Sequence, residues 1–437
     1  MRKDARFLAY TILDQFNSDV RLDLILNKIF IDHDPDLRAR SRAKVLVNEI
    51  IRLIDRLDLM IKYISGRDLK QIQRPIRSIL RIGFYEIAID DIVPDYAAVD
   101  SAVQLVNRVS NRRAAGFTNA VLRKLVRKKS GDENWSQTLT HKPEWNSMPL
   151  WIQDRWKKNL GQEGFTKMLD SVNKNPPNFV RIRPHIRNVE KVREILLEDE
   201  IDSEIFSESF LKIKGGTGKI LQTEMFNNGE ISIQNPASAA VVDCLDARPG
   251  DKVLDVCAAP GTKSLYLSNI VGDSGKVLAS DLIEERVGIG KRDLERHGKL
   301  NIEWRVKDAS KDTFPMTDRM LIDAPCTGTG VLGRKPDIRW RRKISDVQEM
   351  SKKQNEILSH CAKFLKPNGI LVYATCSIEP EENWNVVERF LKLNPQFSLD
   401  TIHSKVPRSW IDEKGVLRTL PYVHDVDGMF AAKIKRS

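Results

Sequence analysis

The chain has 437 residues, with 71 Lys and Arg against 60 Asp and Glu for a formal net charge of +11. That length holds two or three domains with ample core, and the positive balance favours a polyanionic partner, because each cation that meets a phosphate releases counterions. Five cysteines at irregular spacing, with no CxxC pair and no signal peptide, argue against a disulfide framework or a metal site and for a reducing cytoplasm, and no apolar run approaches membrane-spanning length.

From about residue 4 to residue 129 apolar residues recur at three- and four-residue steps and never alternate, so this stretch reads as helices only. The expected helices run from Ala5 to Phe16, Arg42 to Ile64, Ile76 to Ile89 behind a first-turn Pro75, Ala97 to Val109 and Ala114 to Val126, forming a compact bundle. Three stretches, Ile79-Leu-Arg-Ile-Gly-Phe-Tyr-Glu86, Val93-Pro-Asp-Tyr-Ala-Ala-Val99 and Gly116-Phe-Thr-Asn-Ala-Val-Leu-Arg123, resemble the NusB-like RNA-binding domain. The resemblance covers nearly the whole bundle and implies contact with RNA. Arg112, Arg113, Arg123, Lys124, Arg127, Lys128 and Lys129 form a basic cluster suited to tracking a phosphate backbone.

Residues 130–149 are polar, contain Gly131, Pro143 and Pro149, and read as a linker. A small α+β domain is expected over residues 150–230. Leu150 to Leu160, Glu163 to Val172 and Val189 to Asp199 read as helical, whereas Asn178 to Arg183, Ser203 to Phe206 and Phe210 to Ile213 read as extended. Its Gly215-Gly-Thr-Gly218 is too short and misplaced for a phosphate loop and reads as a surface turn.

From Ile231 onward strands alternate with helices, the pattern of a doubly wound α/β sheet, so residues 231–437 are expected to form a Rossmann-like domain. Lys252 to Val256 is a buried strand that runs into Cys257-Ala-Ala-Pro-Gly-Thr-Lys-Ser264. A dinucleotide site would want GxGxxG here, and only Gly261 is present. Ala258, Ala259 and Gly261 still let a ligand approach the backbone, so a cofactor without phosphates fits better. Asp281 ends the next strand and is placed to bind ribose hydroxyls. Asp308, after the third strand, is placed to accept from an adenine amino group.

Arg319 to Ile322 is a short strand followed at once by Asp323-Ala-Pro-Cys326, and Gly369 to Ala374 is another, followed by Thr375-Cys376-Ser377. Cys244 and Cys361 lie among apolar residues of expected helices and read as buried hydrophobes. Cys326 and Cys376 instead occupy strand tips, where a thiolate can be reached and activated. Arg334, Lys335, Arg339, Arg341, Arg342 and Lys343 follow closely and are candidates to clamp flanking phosphates.

The segments DVCAAPGTKS (255–264), DAPCTGTGV (323–331), RKPDIRW (334–340), YATCSIEPEEN (373–383) and HDVDGMF (424–430), with Asp281 and Asp308, resemble the RNA 5-methylcytosine methyltransferases. Joined to the NusB-like bundle, they place the whole chain nearest the bacterial 16S ribosomal RNA branch of that family. Departures are small: Thr327 stands where serine is usual, Thr262 where glycine is common and Gly333 where arginine is common. The resemblance implies S-adenosylmethionine bound by Cys257, Ala258, Ala259, Pro260, Gly261, Thr262, Lys263, Asp281, Asp308 and Asp323. It further implies Cys376 as nucleophile, Cys326 in product release, Asp323 on the base edge and Lys263 supporting it. The expected partner is 16S ribosomal RNA or the small-subunit particle, met by a monomer in the cytoplasm, with no membrane and no metal. Read alone, the residues do not rank the two cysteines. They also leave open the same chemistry on tRNA or DNA, and a non-catalytic RNA-binding assembly factor.

Overall fold

The computed structural model describes residues 4–90, 92–132, 134–183, 186–298, 300–403 and 405–437. The chain forms two compact units, one of residues 1–175 with 332–342, the other of residues 176–331 with 343–437.

The first unit is helical. Its helices span Ala5–Gln15, Leu22–His33, Leu37–Arg52, Ile54–Ser65, Arg74–Tyr85, Asp95–Val109 and Arg112–Gly131, followed by Leu150–Val172, which is broken at Gly161 with φ 72°. Leu22–His33 went unrecognised in the sequence reading although Leu22, Ile25, Leu26, Ile29 and Phe30 make a helical stripe and are buried. The expected helix from Arg42 to Ile64 is two helices, because Leu53 leaves the helical region at φ −112°, ψ 23°.

Residues 130–149, expected as a linker, are packed. Trp135, Leu139 and Met148 are buried, and Trp135 stacks on Tyr63 with ring centroids 6.1 Å apart. Arg56 lies over Trp145, 4.7 Å from its ring centre, and donates to the Trp145 carbonyl at 2.8 Å. A few apolar anchors in a polar stretch were enough to fold it down. The compact unit accordingly runs to Asn175 and does not stop near residue 129.

Leu332–Arg342 belongs to this helical unit although the chain on both sides of it belongs to the other. Arg339 is fully buried. Its guanidinium donates to the carbonyls of Arg52 (3.1 Å), Ser147 (3.0 Å), Val172 (3.0 Å) and Leu332 (3.2 Å) and to Asn173 Oδ1 (2.6 Å). Burial pushes Arg339 down to about 9, with Arg52 acting in the same sense and Asp55 and Glu49 opposing. Trp340 Nε1 donates to the Ile51 carbonyl at 2.7 Å, and Arg52 donates to the Gly333 carbonyl at 2.6 Å.

The second unit carries two sheets. The smaller contains β1 (Asn178–Ile182), β2 (Ser203–Ser207), β3 (Phe210–Ile213) and β4 (Ile231–Ile233) in the order β2-β3-β1-β4, all antiparallel, with helix Val189–Glu198 packed on it. The larger contains β5 (Lys252–Val256), β6 (Lys276–Asp281), β7 (Ile302–Val306), β8 (Thr317–Asp323), β9 (Leu365–Thr375), β10 (Phe397–Leu399), β11 (Leu417–Arg418) and β12 (Phe430–Arg436). Its order is β10-β12-β9-β8-β5-β6-β7, with β11 also paired to β12. Strands β5 to β9 run parallel, and β12 is antiparallel to both neighbours.

Both faces of this sheet are covered, which is why its strands read as continuous apolar runs. Along β9, Ile370, Val372 and Ala374 join the core that includes helices Pro236–Asp243 and Thr262–Val271. Leu371 and Tyr373 point the other way, toward Ile344–Cys361 and Trp384–Leu393. The carboxyl ends of β5, β6, β7, β8 and β9 therefore share one edge, where a parallel sheet binds its ligands.

Candidate active site

The turn after β5 is built for close approach. Gly261 has φ 111°, and a Cβ there would lie 2.7 Å from Trp304 Cζ2, so both conformation and space demand glycine. Thr262–Val271 begins immediately after it, which aims Lys263 back over the strand ends. Ala258 N–H donates to the Ser280 carbonyl (2.8 Å) and Ala259 N–H to Asp281 Oδ2 (3.1 Å), tying this turn to the end of β6. Beneath it Asp255 is fully buried and accepts from Ser264 Oγ at 2.6 Å; burial nevertheless pushes the carboxyl up to about 7.

Asp281 is 3% exposed and also meets Ile283 N–H (3.2 Å) and Arg286 (3.3 Å). A carboxylate has about four acceptor sites, and with these three donors in place one remains for a ligand hydroxyl. Register pairs Asp281 with Val306, and Val306, Leu282 and Ile283 keep exposed apolar surface beside it. Asp308, two residues beyond β7, accepts from Ser310 N–H (2.9 Å) and Ser310 Oγ (2.6 Å), which holds its carboxyl below the usual range. An acceptor pair flanking an apolar shelf, next to a backbone turn without an anion cradle, fits a nucleoside that carries no phosphate.

Strand register explains how the two cysteines meet. Asp323 of β8 lies opposite Ala374 of β9, and Ala324 N–H donates to the Ala374 carbonyl at 2.9 Å. Cys326 and Cys376 then follow the pair by three and two residues, and their sulfurs come to 3.2 Å, both half-buried. Lys263 Nζ lies 2.8 Å from Asp323 Oδ2. Burial works to lower the Lys263 ammonium, but Asp323 outweighs it and Cys376 adds to the same effect, so Lys263 is raised. The hydrogen bond to Cys376, burial and the nearby Cys376, Glu382 and Asp323 charges push the Cys326 thiol well up. Gly330 N–H donates to the Cys376 carbonyl at 3.0 Å, and Gly428 N–H to the Gly330 carbonyl at 2.9 Å, closing the two loops onto each other.

Residues 242–435 match the family described as 16S rRNA methyltransferase RsmB/F, and residues 3–127 match the NusB family. The ribosomal RNA small subunit methyltransferase B of Yersinia pestis is 30% identical over 97% of this chain and 95% of its own length. The chain belongs to the RsmB/F methyltransferase family. A probable member from Synechocystis is 28% identical over 99% of both chains, and the solved structure of the protein PH0851 superposes with a TM-score of 0.79 at 27% identity, covering 100% of both.

S-adenosylmethionine is the cofactor of this RsmB/F chain, and the residues on the β5, β6 and β7 tips fit its nucleoside part. The expected site residues lie at the shared carboxyl edge of the sheet or in the loops just beyond it, apart from Thr262 and Lys263 in the first turn of the helix that follows β5. Cys244 and Cys361 are buried in the core as expected, with burial pushing Cys361 up to about 12.

The proposed phosphate clamp needs correction: Arg339 is wholly buried against backbone carbonyls, and Arg341 meets Asp337 at 3.4 Å. These two side chains structure the helical unit. In the basic cluster, Lys129 turns inward to the Ile87 carbonyl (2.7 Å), whereas Arg112, Arg123 and Arg127 line a surface cleft with Tyr96. The sequence reading missed Arg286 and Glu382. An acid six residues past the second cysteine was the available signal for Glu382.

Proposed function

We propose that this chain methylates C5 of a cytosine in 16S ribosomal RNA through a transient bond between Cys376 and C6 of the base. The contact between two sulfurs 3.2 Å apart, beside the Lys263–Asp323 pair, carries the reading. C5 of cytosine is too poor a nucleophile unaided, and addition of a thiolate at C6 turns the ring into an enamine. The Lys263 ammonium, close to Asp323 and to the thiol pair, favours a thiolate there. The resemblance to the RNA 5-methylcytosine methyltransferases implies Cys376 as the nucleophile and Cys326 in release, and that assignment is adopted.

Bound S-adenosylmethionine supplies the electrophilic methyl group; Cys257, Ala258, Ala259, Pro260, Gly261, Thr262, Asp281 and Asp308 would hold it. Asp323 accepts from the cytosine N4 amino edge and stabilises protonated N3 in the adduct, whereas the C4 carbonyl of uracil offers that carboxylate no donor. Lys263, 2.8 Å from Asp323 Oδ2, keeps that carboxylate oriented. Once C5 is methylated its proton must pass to a base; the C5–H electron pair restores the ring double bond and the C6–S bond breaks. Cys326, in contact with the departing sulfur, assists this release. The target must leave its stack to reach the strand tips, so an unpaired or flipped nucleotide is expected. The helical unit and the small sheet grip the surrounding RNA, and the protein acts as a monomer in the cytoplasm.

The test is to incubate Cys376→Ala and Cys326→Ala with 16S RNA and S-adenosylmethionine and look for protein–RNA species that survive denaturation. Cys376→Ala is expected to give none and Cys326→Ala to accumulate them. The reverse pattern overturns the assignment, and product methylated at any atom other than C5 overturns the reaction.

A further inference from the structure

Four hydrogen-bond donors from three residues converge on a carboxylate that none of the chemistry above employs. Glu382 has no exposed surface. Its Oε2 accepts from Thr327 N–H at 2.8 Å and from Gln354 Nε2 at 2.9 Å, and its Oε1 accepts from Ser377 Oγ at 2.7 Å and from Thr327 Oγ1. Thr327 directly follows Cys326, and Ser377 directly follows Cys376. Gln354 also donates to the carbonyl of Pro325, the residue before Cys326, at 2.9 Å. The next residue, Asn383, donates to the Ser377 carbonyl at 2.8 Å and accepts from Thr375 Oγ1 at 2.5 Å. Tyr373 OH donates to the Glu382 carbonyl at 2.6 Å and so fixes the clamp to β9. Residues on both sides of each cysteine are thus fastened to Glu382–Asn383 or to its partner Gln354.

A carboxylate in this place fits the geometry better than a neutral group. It offers four acceptor sites and no donor, and four donors approach it. Two of them come from one cysteine loop and one from the other, so the anion is a shared anchor between strand tips 50 residues apart in sequence. We propose that Glu382 is a positioning residue for the methylation: by bridging Thr327 and Ser377 it holds the Cys326 and Cys376 sulfurs at contact distance, so that one can add to the base and the other assist its departure. The inference rests on the proposed two-thiol reaction for its purpose, but the clamp itself can be read without RNA or cofactor.

Phenylarsonous acid condenses with two thiols, forming two As–S bonds with loss of two waters, and binds tightly only when both sulfurs are held close. The full-length protein should bind one equivalent, and Cys326→Ala should lose this mode. Glu382→Gln and Glu382→Asp should each weaken binding about tenfold or more, because the effective concentration of the second thiol falls when the loops part. In methylation assays the same variants should lose kcat while the KM for S-adenosylmethionine changes less than about threefold, a split that general distortion would not give. If the Glu382 variants do not fold, the double variant Thr327→Val with Ser377→Ala removes donors from the other side and decides the question with the same expectation. Folded variants that bind the arsenical within about twofold of the parent, or whose cofactor KM rises as much as kcat falls, overturn the proposal. Loss of arsenical binding in an enzyme whose product is not 5-methylcytosine would refute the proposed reaction and leave the clamp standing.

Discussion

Replacing Gly330 by alanine should damage the chemistry far more than the fold. A Cβ at this position would fall 2.2 Å from the Gly428 carbonyl oxygen, 2.8 Å from Gly428 C and 2.9 Å from the Cys376 carbonyl oxygen. All three neighbours are backbone, so no side chain can swing away, and the loops must part by about 1 Å to restore ordinary contact. Overpacking of this kind costs about 1–3 kcal/mol. The same displacement stretches the 3.0 Å bond from Gly330 N–H to the Cys376 carbonyl and with it the approach of the two sulfurs. Misplacement by about 1 Å at a reacting group can cost about a hundredfold in rate. Steady-state transfer of labelled methyl to 16S RNA, together with urea unfolding, should therefore show kcat reduced about a hundredfold and stability reduced by about 1–3 kcal/mol. Gly216→Ala, whose Cβ meets nothing within 4 Å, should change neither. A Gly330→Ala enzyme with kcat within about threefold of the parent would refute the reasoning.

Arg339→Ala strands four carbonyls and the Asn173 amide in the interior, and with partial replacement by water should cost about 4 kcal/mol in the unfolding of the helical unit. Arg339→Lys should recover only part, since an ammonium cannot reproduce the planar fork; a loss under about 1 kcal/mol on removal of the side chain would contradict this. For Asp255 the folded carboxyl at about 7 lies above its ordinary 3.8, so the folded chain retains a proton that the unfolded chain releases. The resulting stability is full below the lower value and is lost as pH rises through the upper one, by at most about 4 kcal/mol. Asp255→Asn should flatten the stability profile between those two pH values. Some slope of the same sign will persist from Asp55 and Asp243, each pushed up to about 6 mainly by burial. Parallel profiles for parent and variant would show that Asp255 is not held protonated.

The strands of the large sheet were legible because burial on both faces leaves runs such as Gly369 to Ala374 with little polarity, and the acids and cysteines at their ends could be assigned to one edge. What could not be read was register. The 3.2 Å contact between sulfurs depends on Asp323 lying opposite Ala374, a matter of pairing between distant segments. Residues 332–342 defeated pattern reading for another reason: their charge suggests a solvated helix start, yet Arg339 is buried because carbonyls distant in sequence accept hydrogen bonds from it. The supposed linker failed similarly, since Trp135, Leu139 and Met148 are too widely spaced to show a period. The helix from Leu22 to His33 is different; its stripe was present and was overlooked.

Strand β12 is inserted between β9 and β10, although every other strand of that sheet precedes it along the chain. Gly428, just ahead of it, donates to the Gly330 carbonyl and so braces the bond that Gly330 N–H makes to the Cys376 loop. During synthesis, then, β9 remains an open edge and the paired thiols lack their final support until residues 428–436 have emerged.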